Sequence, residues 1–156
     1  MQTFLPYSEF EKIGQCLDDK RLNKQIQEAD TLIDLHLGIK DNSWKNHPAF
    51  KMWSNYINAL IHYRNVMLDE WIKRGKNSNR EFREHGEIYY PSFLQNELVI
   101  LSHRSNLIRK FPEHYSKFGW IDYGIEGYYW PCEVKTSRSK KINEKWTKTI
   151  KGCNYG

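Results

Sequence analysis

Four polar residues in the segment CLDDKRLNKQIQE are the first candidates for chemistry. They are Asp18, Arg21, Gln25 and Glu28. Their spacing of three or four residues places them on one stripe of an α-helix. A carboxylate on such a stripe can act as a general acid or base, and a guanidinium can bind a phosphate. The same spacing is also typical of a salt-bridge ladder that only supports the fold, so the pattern leaves both interpretations open.

The other positions of this helix divide into a buried face and a solvated face. At about 100° per residue, the apolar positions cluster within about 60° and predict the core face. These positions are Leu22, Ile26, Ala29 and Ile33. The opposite side predicts a solvated face, which consists of Lys20, Asn23, Gln27, Asp30 and Asp34. The polar stripe lies only about 90° from the core face and becomes apolar at Leu32, so we expect it to border a cleft.

Arg64 falls near the middle of a broad apolar arc on a second predicted helix. The arc consists of Trp53, Tyr56, Ile57, Leu60, Met67, Leu68 and Trp71. An unpaired guanidinium would be costly there, so we expect Arg64 to meet a carboxylate of Asp18 or Glu28. The alternative is that the Arg64 side chain extends along its stem until the charge reaches water.

Three segments with helical periodicity must position these residues. They are predicted to run from about Ser8 or Gly14 to Leu37, from Pro48 to Gly75, and from Pro91 to about Lys110. Residues 76–90 predict a loop or a short helix, and the glycine-rich aromatic residues 117–131 predict an irregular loop that could serve recognition. The expected fold is mostly α, a compact single-domain bundle of about three main helices with irregular, aromatic-rich C-terminal loops.

The third helix carries a second group of candidates. Its predicted core face consists of Leu94, Leu98, Leu101 and Ile108. His103, Asn106 and Lys110 share the far side, where they could contact phosphates or base edges, or simply face water. The histidines show no metal-ligand spacing such as HExxH, and no glycine-rich phosphate loop or GxSxG turn is present. We therefore expect neither a metal nor a cofactor.

Length and composition exclude several classes of protein. A chain of 156 residues is one domain's worth. Its apolar runs are short and interrupted by charges, and its start lacks a secretory pattern, so we expect a cytoplasmic protein without a membrane span. The three cysteines, Cys16, Cys132 and Cys153, form no CxxC pair, which favours free thiols over a disulfide framework or a zinc ribbon.

The net charge of +5 is concentrated at the C-terminal end. Residues 132–156 contain seven basic and two acidic residues, so residues 1–131 are neutral overall. A basic tail on a balanced body is common among proteins that bind nucleic acids, because each lysine that meets a phosphate releases counterions. A solvated tail that serves solubility is the alternative.

An ordered series of short motifs resembles a known family. The motifs are MQTFLPY, LDDKRLNKQ, NHPAFKMW, EWIKRG and PSFLQNELVILSHRSNLIRKFPEHYSKFGW. Together they resemble the pyrimidine dimer DNA glycosylases of the phage endonuclease V type, and more closely their bacterial branch. The resemblance covers about residues 1–131, so we expect a glycosylase-like helical domain there and a separate basic extension over residues 132–156.

The resemblance implies a DNA repair activity. Members of the family are compact helical proteins that lie across damaged duplex DNA, kink it and flip a base out. They excise the lesion through their own N-terminal amine, which forms a Schiff base with the sugar, and then cleave the strand by β-elimination. The expected partner is double-stranded DNA, and we expect a monomer.

An N-terminal amine is a suitable nucleophile on physical grounds. An α-amino group with a pKa of about 7.8 is about 14% unprotonated at pH 7, whereas an ordinary lysine is only about 0.04% unprotonated. The difference supplies several hundred times more nucleophile without any burial.

The resemblance also implies site residues. It matches the family's helix arginine to Arg21, as a phosphate contact, and a second basic residue to Lys24. Further DNA contacts are implied by the matched motifs at His47, Arg104, Arg109 and Lys110, and by HYSKFGW at Tyr115, Lys117 and Trp120.

Two departures from the family pattern concern the catalytic groups. Leu22 follows Arg21 where the active members have a catalytic glutamate, so the carboxylate would have to come from Asp18 or Glu28. Gln2 is larger than the family's usual first residue, so Met1 is expected to be retained. The nucleophile would then be the amine of Met1, displaced by one residue, or it would be absent. If Met1 is lost instead, the amine of Gln2 would be the nucleophile.

Two other functions stay open at this point. The chain could be a DNA-binding module of the same fold without glycosylase activity. It could also be an enzyme that acts on modified or free nucleotides with a different acid and base in the same cleft.

Overall fold

Six α-helices and three short 3-10 helices make up the fold in the computed structural model, counted over the residues that it describes: 1–130, 133–134 and 153–154. The α-helices are α1 (Phe10–Cys16), α2 (Asp19–His36), α3 (Pro48–Lys51), α4 (Ile57–Lys73), α5 (Glu97–Lys110) and α6 (Pro112–Tyr115). The 3-10 helices are Ser43–Asn46, Ser92–Gln95 and Ser116–Phe118. Two short antiparallel strands, β1 (Glu133–Val134) and β2 (Cys153–Asn154), pair with each other. The predicted mostly α fold is confirmed.

Helices α2 and α4 pack along each other and enclose much of the core. The predicted core face of α2 is confirmed, since its residues are fully buried: Leu22, Ile26, Ala29 and Ile33. Helix α1 crosses α4 at Gly14, where an added Cβ would lie 3.3 Å from the Cβ of Glu70. The missing side chain at Gly14 therefore lets the two helices approach closely.

The first predicted helix is interrupted and forms α1 and α2 instead. Leu17 and Asp18 adopt extended backbone conformations between the two helices. Side chains from distant elements bond the carbonyl groups that this break leaves free. Arg74 donates to the carbonyl of Leu17 at 2.7 Å. His114 Nε2 lies 2.8 Å from the carbonyl oxygen of Cys16. These partners are remote in sequence, so local periodicity could not predict the break.

The second and third predicted helices are also divided. Helix α3 ends at Lys51, and α4 begins only at Ile57. Helix α4 ends at Lys73, close to Gly75, whose φ of +78° is the left-handed conformation typical of a helix end. The third segment starts with a 3-10 turn and continues as α5, which Asn96 caps by accepting from two backbone N–H groups.

The buried face of α5 differs from the predicted one. Leu98, Leu101 and Ile108 are only half-buried. The buried positions of the helix are Val99, Ser102, His103, Ser105 and Leu107. The prediction that His103 lies on the far side is therefore wrong. The physical reason is that α5 is covered twice, by the core and by the irregular residues 121–130, to which its polar side chains hydrogen-bond.

Residues 76–90 contain no helix and cross the side of α2 that was predicted to face water. Arg83 donates to Asp30 at 3.0 Å and to Asp34 at 2.8 Å. Arg80 lies 3.8 Å from the second oxygen of Asp30. The prediction that Asp30 and Asp34 belong to a solvated face is wrong, because their charges anchor this segment.

Arg64 is buried and pairs with a carboxylate, as predicted. Its side chain is 4% exposed, so it does not extend to water, and its Nε donates to Asp30 at 2.8 Å. The backbone carbonyl of Glu81 accepts a second bond from Arg64, at 2.6 Å. The predicted partners Asp18 and Glu28 are wrong, since both carboxylates lie elsewhere.

The sequence also led to predictions about a membrane span, the cysteines and the basic tail. Among the described residues, none of the helices has the length and apolar character to cross a bilayer.

Cys16 is a free thiol, and burial raises its pKa to about 12. The side chains of Cys132 and Cys153 lie outside the described residues. So does the basic tail apart from the backbone of its two short strands.

Candidate active site at the N-terminus

The first residues of the chain thread through the core. Gln2, Thr3, Phe4 and Leu5 are all less than a tenth exposed, although no strand pairs with them in the described structure. Buried backbone groups without partners would be costly, so side chains must replace the missing strand.

Side chains from α2, α4 and α5 supply these hydrogen bonds. Gln25 accepts from the backbone N–H of Phe4 at 2.8 Å and donates to the carbonyl of Gln2 at 3.1 Å. The hydroxyl of Tyr63 donates to the carbonyl of Phe4 at 2.9 Å. His103 Nδ1 accepts from the N–H of Leu5 at 2.9 Å. The N-terminus is therefore held in one place by groups from three helices.

Glu28 contacts the N-terminal end of this segment. Its Oε2 accepts from the backbone nitrogen of Gln2 at 2.7 Å, and the side chain is half-buried. Within the described residues no ion pair engages this carboxylate. The amide oxygen of Gln2 accepts from the N–H of Thr3, and its amide nitrogen Nε2 is buried with no hydrogen-bond partner among the residues that the structure describes. A carboxylate free of cations next to the chain start can exchange protons there.

Asp18 lies in a different environment. It is 7% exposed, and it accepts a short hydrogen bond from the hydroxyl of Tyr115. Arg21 lies 3.2 Å from the same carboxylate. Burial and Asp18 together raise the pKa of Tyr115, so this phenol stays a donor. Asp18 is thus fully occupied by structural partners.

A cleft near Asp18 does not include the N-terminus. It encloses about 580 Å³ and is lined by Gln15, Asp18, Asp19, Lys20, Glu70, Arg74, Phe111 and His114. The predicted polar stripe of α2 therefore serves two places. Its first turn borders this cleft, while Gln25 and Glu28 hold the N-terminal segment.

Tyr128 connects the stripe to the irregular C-terminal loop. Burial raises the pKa of Tyr128 to about 12, Arg21 lowers it and Glu28 raises it further, so the phenol lies within electrostatic range of both side chains. Its ring packs against Phe4 and His103, with centroids 6.3 and 5.1 Å away. Tyr128 thus packs beside the N-terminal segment.

His47 belongs to a second group of aromatic rings. Its ring contacts two indoles, 5.2 Å from Trp44 and 5.6 Å from Trp130. Its Nδ1 accepts from the N–H of Ala49 at 3.0 Å and so caps α3. Burial and the nearby N-terminal ammonium lower the pKa of His47 to about 4, so the ring is neutral at physiological pH.

Helix α5 positions the loop of residues 121–130. Asn106 donates to the carbonyl of Gly127 at 2.6 Å, and Arg109 donates to Asp122 at 2.8 Å. The hydroxyl oxygen of Ser102 accepts from the N–H of Tyr129 at 3.2 Å. Asn106 and Arg109, which were predicted to contact DNA, thus have a structural role as anchors of this loop.

Arg104 holds the start of the chain through its planar group. Its guanidinium lies over the rings of Tyr7 and Trp120, 4.8 and 5.3 Å from their centroids. Its Nε donates to the carbonyl of Pro6 at 2.8 Å. Trp120 stacks in turn on Tyr115, and both rings are buried, which leaves them little surface for DNA.

Three predicted DNA contacts lie on the surface. Lys24, Lys110 and Lys117 are exposed, and none of them forms an ion pair with the residues for which the structure gives side chains. Their ammonium groups are available to phosphates. His103 is not, because it is 1% exposed and burial lowers its pKa to about 3.

The structure therefore brings together Met1, Gln2, Glu28 and His47 and separates them from Asp18. Sequence reasoning missed Gln25 as the anchor of Phe4, and it missed Trp44, Tyr128 and Trp130 as the aromatic borders of the site. The motif LDDKRLNKQ, which ends at Gln25, and the aromatic run at residues 128–130 were the signals that could have pointed to Gln25, Tyr128 and Trp130, whereas Trp44 lies outside the quoted motifs.

No metal site accompanies this arrangement in the part of the chain that the structure describes, since no three His, Cys, Asp or Glu side chains converge there. A family model described as pyrimidine dimer DNA glycosylase matches residues 1–84, just over half of the chain. The match includes Glu28, His47 and the whole buried N-terminal segment. No curated protein and no solved structure matched the chain.

Proposed function

The chain belongs to the pyrimidine dimer DNA glycosylase family, and on that premise we propose that it excises damaged or modified pyrimidines from duplex DNA through an N-terminal amine. The contact between Glu28 and the nitrogen of Gln2 carries the proposal. It joins the two groups that such chemistry needs, a nitrogen at the start of the chain and a carboxylate that can move its protons.

The proposed reaction has two stages. The unprotonated amine attacks C1′ of the damaged nucleotide, the bond from C1′ to the base breaks, and the base leaves with a proton. The sugar ring opens to a Schiff base between C1′ and the amine. Loss of a proton from C2′ then expels the 3′ phosphate by β-elimination, which cleaves the strand. Glu28 accepts a proton from the amine after the attack and returns it to the ring oxygen as the bond from C1′ to that oxygen breaks, and water protonates the departing base. Glu28 is then a carboxylate again and accepts the C2′ proton.

Glu28 is the better candidate for this acid and base than Asp18. Asp18 accepts from Tyr115 and pairs with Arg21, so a proton taken up there would weaken both interactions. Glu28 has only the nitrogen of Gln2 as its partner among the described residues. In this proposal Asp18 orients Arg21, whose half-buried guanidinium binds a phosphate beside the lesion.

Two nitrogens compete for the role of nucleophile. With Met1 retained, the free amine belongs to Met1 and lies close enough to His47 to lower the pKa of that ring. With Met1 removed, the nitrogen of Gln2 becomes the amine at its present 2.7 Å from Glu28. The second arrangement needs no movement of the carboxylate, but the size of Gln2 predicts that Met1 is retained, so the intact mass of the protein decides between the two amines.

The proposed substrate is double-stranded DNA, bound by a single copy of the protein within the cell. Lys24, Lys110 and Lys117 supply exposed cations for the backbone. We propose residues 1–131 as the domain that carries the chemistry, and residues 132–156 as a basic extension that adds phosphate contacts.

Borohydride trapping tests the proposal. The full-length protein is incubated with a duplex that carries one abasic site and with a duplex that carries one cyclobutane thymine dimer. Reduction should fix a covalent adduct in both reactions, and mass spectrometry should map it to the N-terminal peptide. The intact mass of the free protein shows in the same experiment whether Met1 is present.

Chemical acetylation of the α-amine is the matched control. The acetylated protein should bind the abasic duplex but give no adduct. Binding without adduct by the untreated protein would contradict the proposal and favour a DNA-binding module. An adduct that maps to an internal lysine would overturn the N-terminal mechanism.

A further inference from the structure

Three aromatic rings contact one another in the order Trp130, His47, Trp44, and we call them the aromatic row. The ring of His47 contacts both indoles, with centroids 5.2 Å from Trp44 and 5.6 Å from Trp130. The two outer rings differ in exposure, since Trp130 is 9% exposed and Trp44 is 39% exposed. The row thus begins in the core and ends at the surface.

Trp44 is held rigidly although it is exposed. It lies in the 3-10 turn Ser43–Asn46, where Asn42 accepts from its backbone N–H at 2.9 Å. Its carbonyl accepts from the N–H of His47 at 3.0 Å, and His47 itself is fixed as the cap of α3. An exposed ring on such a turn loses little conformational entropy when it binds a ligand.

The flat shape and the lack of charge of these rings determine which ligand they can bind. The indole is flat and uncharged, and the neutral His47 adds no charge behind it. A single exposed tryptophan needs no special explanation by itself. The second observation is the position of this one at the end of a series of ring contacts that starts at Phe4 of the N-terminal segment and passes through Tyr128, Trp130 and His47. A flat, uncharged aromatic group bound beside the amine is the ligand that this surface fits.

We infer that Trp44 is the platform onto which a nucleobase stacks when it leaves the helix beside the sugar that the N-terminal amine attacks. The inference rests on the proposed function and adds the residue that receives the base. Stacking on an aromatic side chain tolerates any base, so Trp44 would stabilise the opened duplex and leave lesion choice to other groups.

The test measures binding of the full-length protein to a duplex with a tetrahydrofuran abasic analogue, which cannot react with the amine. Trp44→Leu should weaken binding by about 5- to 150-fold, the range expected for the loss of one stacked base. Trp44→Phe should recover most of the affinity. The slope of affinity against salt should stay as in the wild type, because an indole releases no counterions.

Tyr89→Leu is the matched control, since Tyr89 is 65% exposed and its hydroxyl bonds Glu87 in the segment 76–90. It should bind as the wild type does. Urea unfolding of each variant shows whether weaker binding comes from the missing ring or from an unfolded protein. Equal binding by Trp44→Leu and the wild type would overturn the inference.

Photo-crosslinking locates the contact directly. A 5-iodouracil is placed opposite the abasic analogue in one duplex and next to it in another. Crosslinks from one of these positions should map to the peptide that contains Trp44. Crosslinks that map only elsewhere would contradict the inference. A wild-type protein that gives no borohydride adduct with a true abasic site refutes the proposed function instead, because that experiment does not involve Trp44.

Discussion

Glu28 and Asp30 lie two residues apart on α2, yet their environments are opposite. Asp30 accepts from Arg64 and Arg83 at 2.8 and 3.0 Å and lies 3.8 Å from Arg80. Glu28 has no ion pair in the described structure, and it accepts from the backbone nitrogen of Gln2. One carboxylate is saturated by cations, and the other is left with a single neutral donor.

The difference shows where the fold uses charge for structure. The Asp30 network fixes a long segment without regular structure, and a buried guanidinium makes it costly to disturb. A carboxylate that must gain and lose protons cannot be held by three arginines, because each cation stabilises its charged form. Glu28 therefore has the environment of a reactive group, and Asp30 has that of a support.

Glu28→Gln should have the largest effect on activity and a small effect on stability. The amide keeps an oxygen that accepts from Gln2 but cannot take up a proton, so strand cleavage should fall by about 10²- to 10⁴-fold. Single-turnover cleavage of an abasic duplex measures the loss, and binding to the same duplex should be retained. Unchanged turnover would remove Glu28 from the chemistry.

Asp30→Asn should have the opposite effects, a large loss of stability and a small loss of activity. Removing one partner of the buried Arg64 leaves its charge uncompensated, so the free energy of unfolding should fall by about 3 kcal/mol. Urea denaturation checks the value. Asp41→Asn is the control, because Asp41 pairs with Lys45 on the surface and should change stability by less than about 1 kcal/mol. Equal losses of stability in the two variants would contradict the structural role assigned to Asp30.

Acid should loosen the N-terminal segment through His103. Burial holds the pKa of His103 at about 3, against 6.5 in an exposed histidine. The unfolded chain therefore takes up this proton first, and stability should fall as the pH drops from about 6.5 towards 3, by up to about 1.4 kcal/mol per pH unit. Urea titrations at several pH values in this window measure the slope.

His103→Asn isolates this contribution, since its amide oxygen can still accept from Leu5. The variant should be less stable than the wild type at neutral pH, and the difference should shrink in acid. A stability difference that is constant with pH would show that the proton on His103 plays no part.

Removal of residues 132–156 should have the smallest effect, on binding alone. Each phosphate that the shortened protein no longer neutralises should lower the slope of log affinity against log salt by about 0.9, and affinity should fall a few-fold. Fluorescence anisotropy at several salt concentrations checks both values. An unchanged slope would show that the tail does not touch the DNA.

Local periodicity predicted the parts of this molecule that depend on neighbours along one helix. The core face of α2 and the shared stripe of Asp18 to Glu28 follow from residues three or four apart. The same pattern could not distinguish Asp18 from Glu28, because the distinction depends on Tyr115 and on the start of the chain.

The wrong predictions for His103 and Asp30 have a common physical cause. His103 was assigned to the far side of the third helix because it lies opposite the predicted apolar face, yet its ring accepts from Leu5, 98 residues away in sequence. Asp30 was assigned to water because it lies opposite the core face of α2, and nothing in the pattern of residues 76–90 predicts that Arg83 crosses that side and bonds it. Contacts between distant segments decide both positions, and no local window contains them.

The buried N-terminal segment also constrains the order in which the protein can mature. Leu5 bonds His103 and Pro6 bonds Arg104, so the first residues to leave the ribosome bind to residues that are made 98 positions later. Contacts of such long sequence separation form slowly, because a large loop must close first. The start of the nascent chain therefore remains open to processing enzymes at least until residues 103 and 104 have been made, and the fold then encloses it.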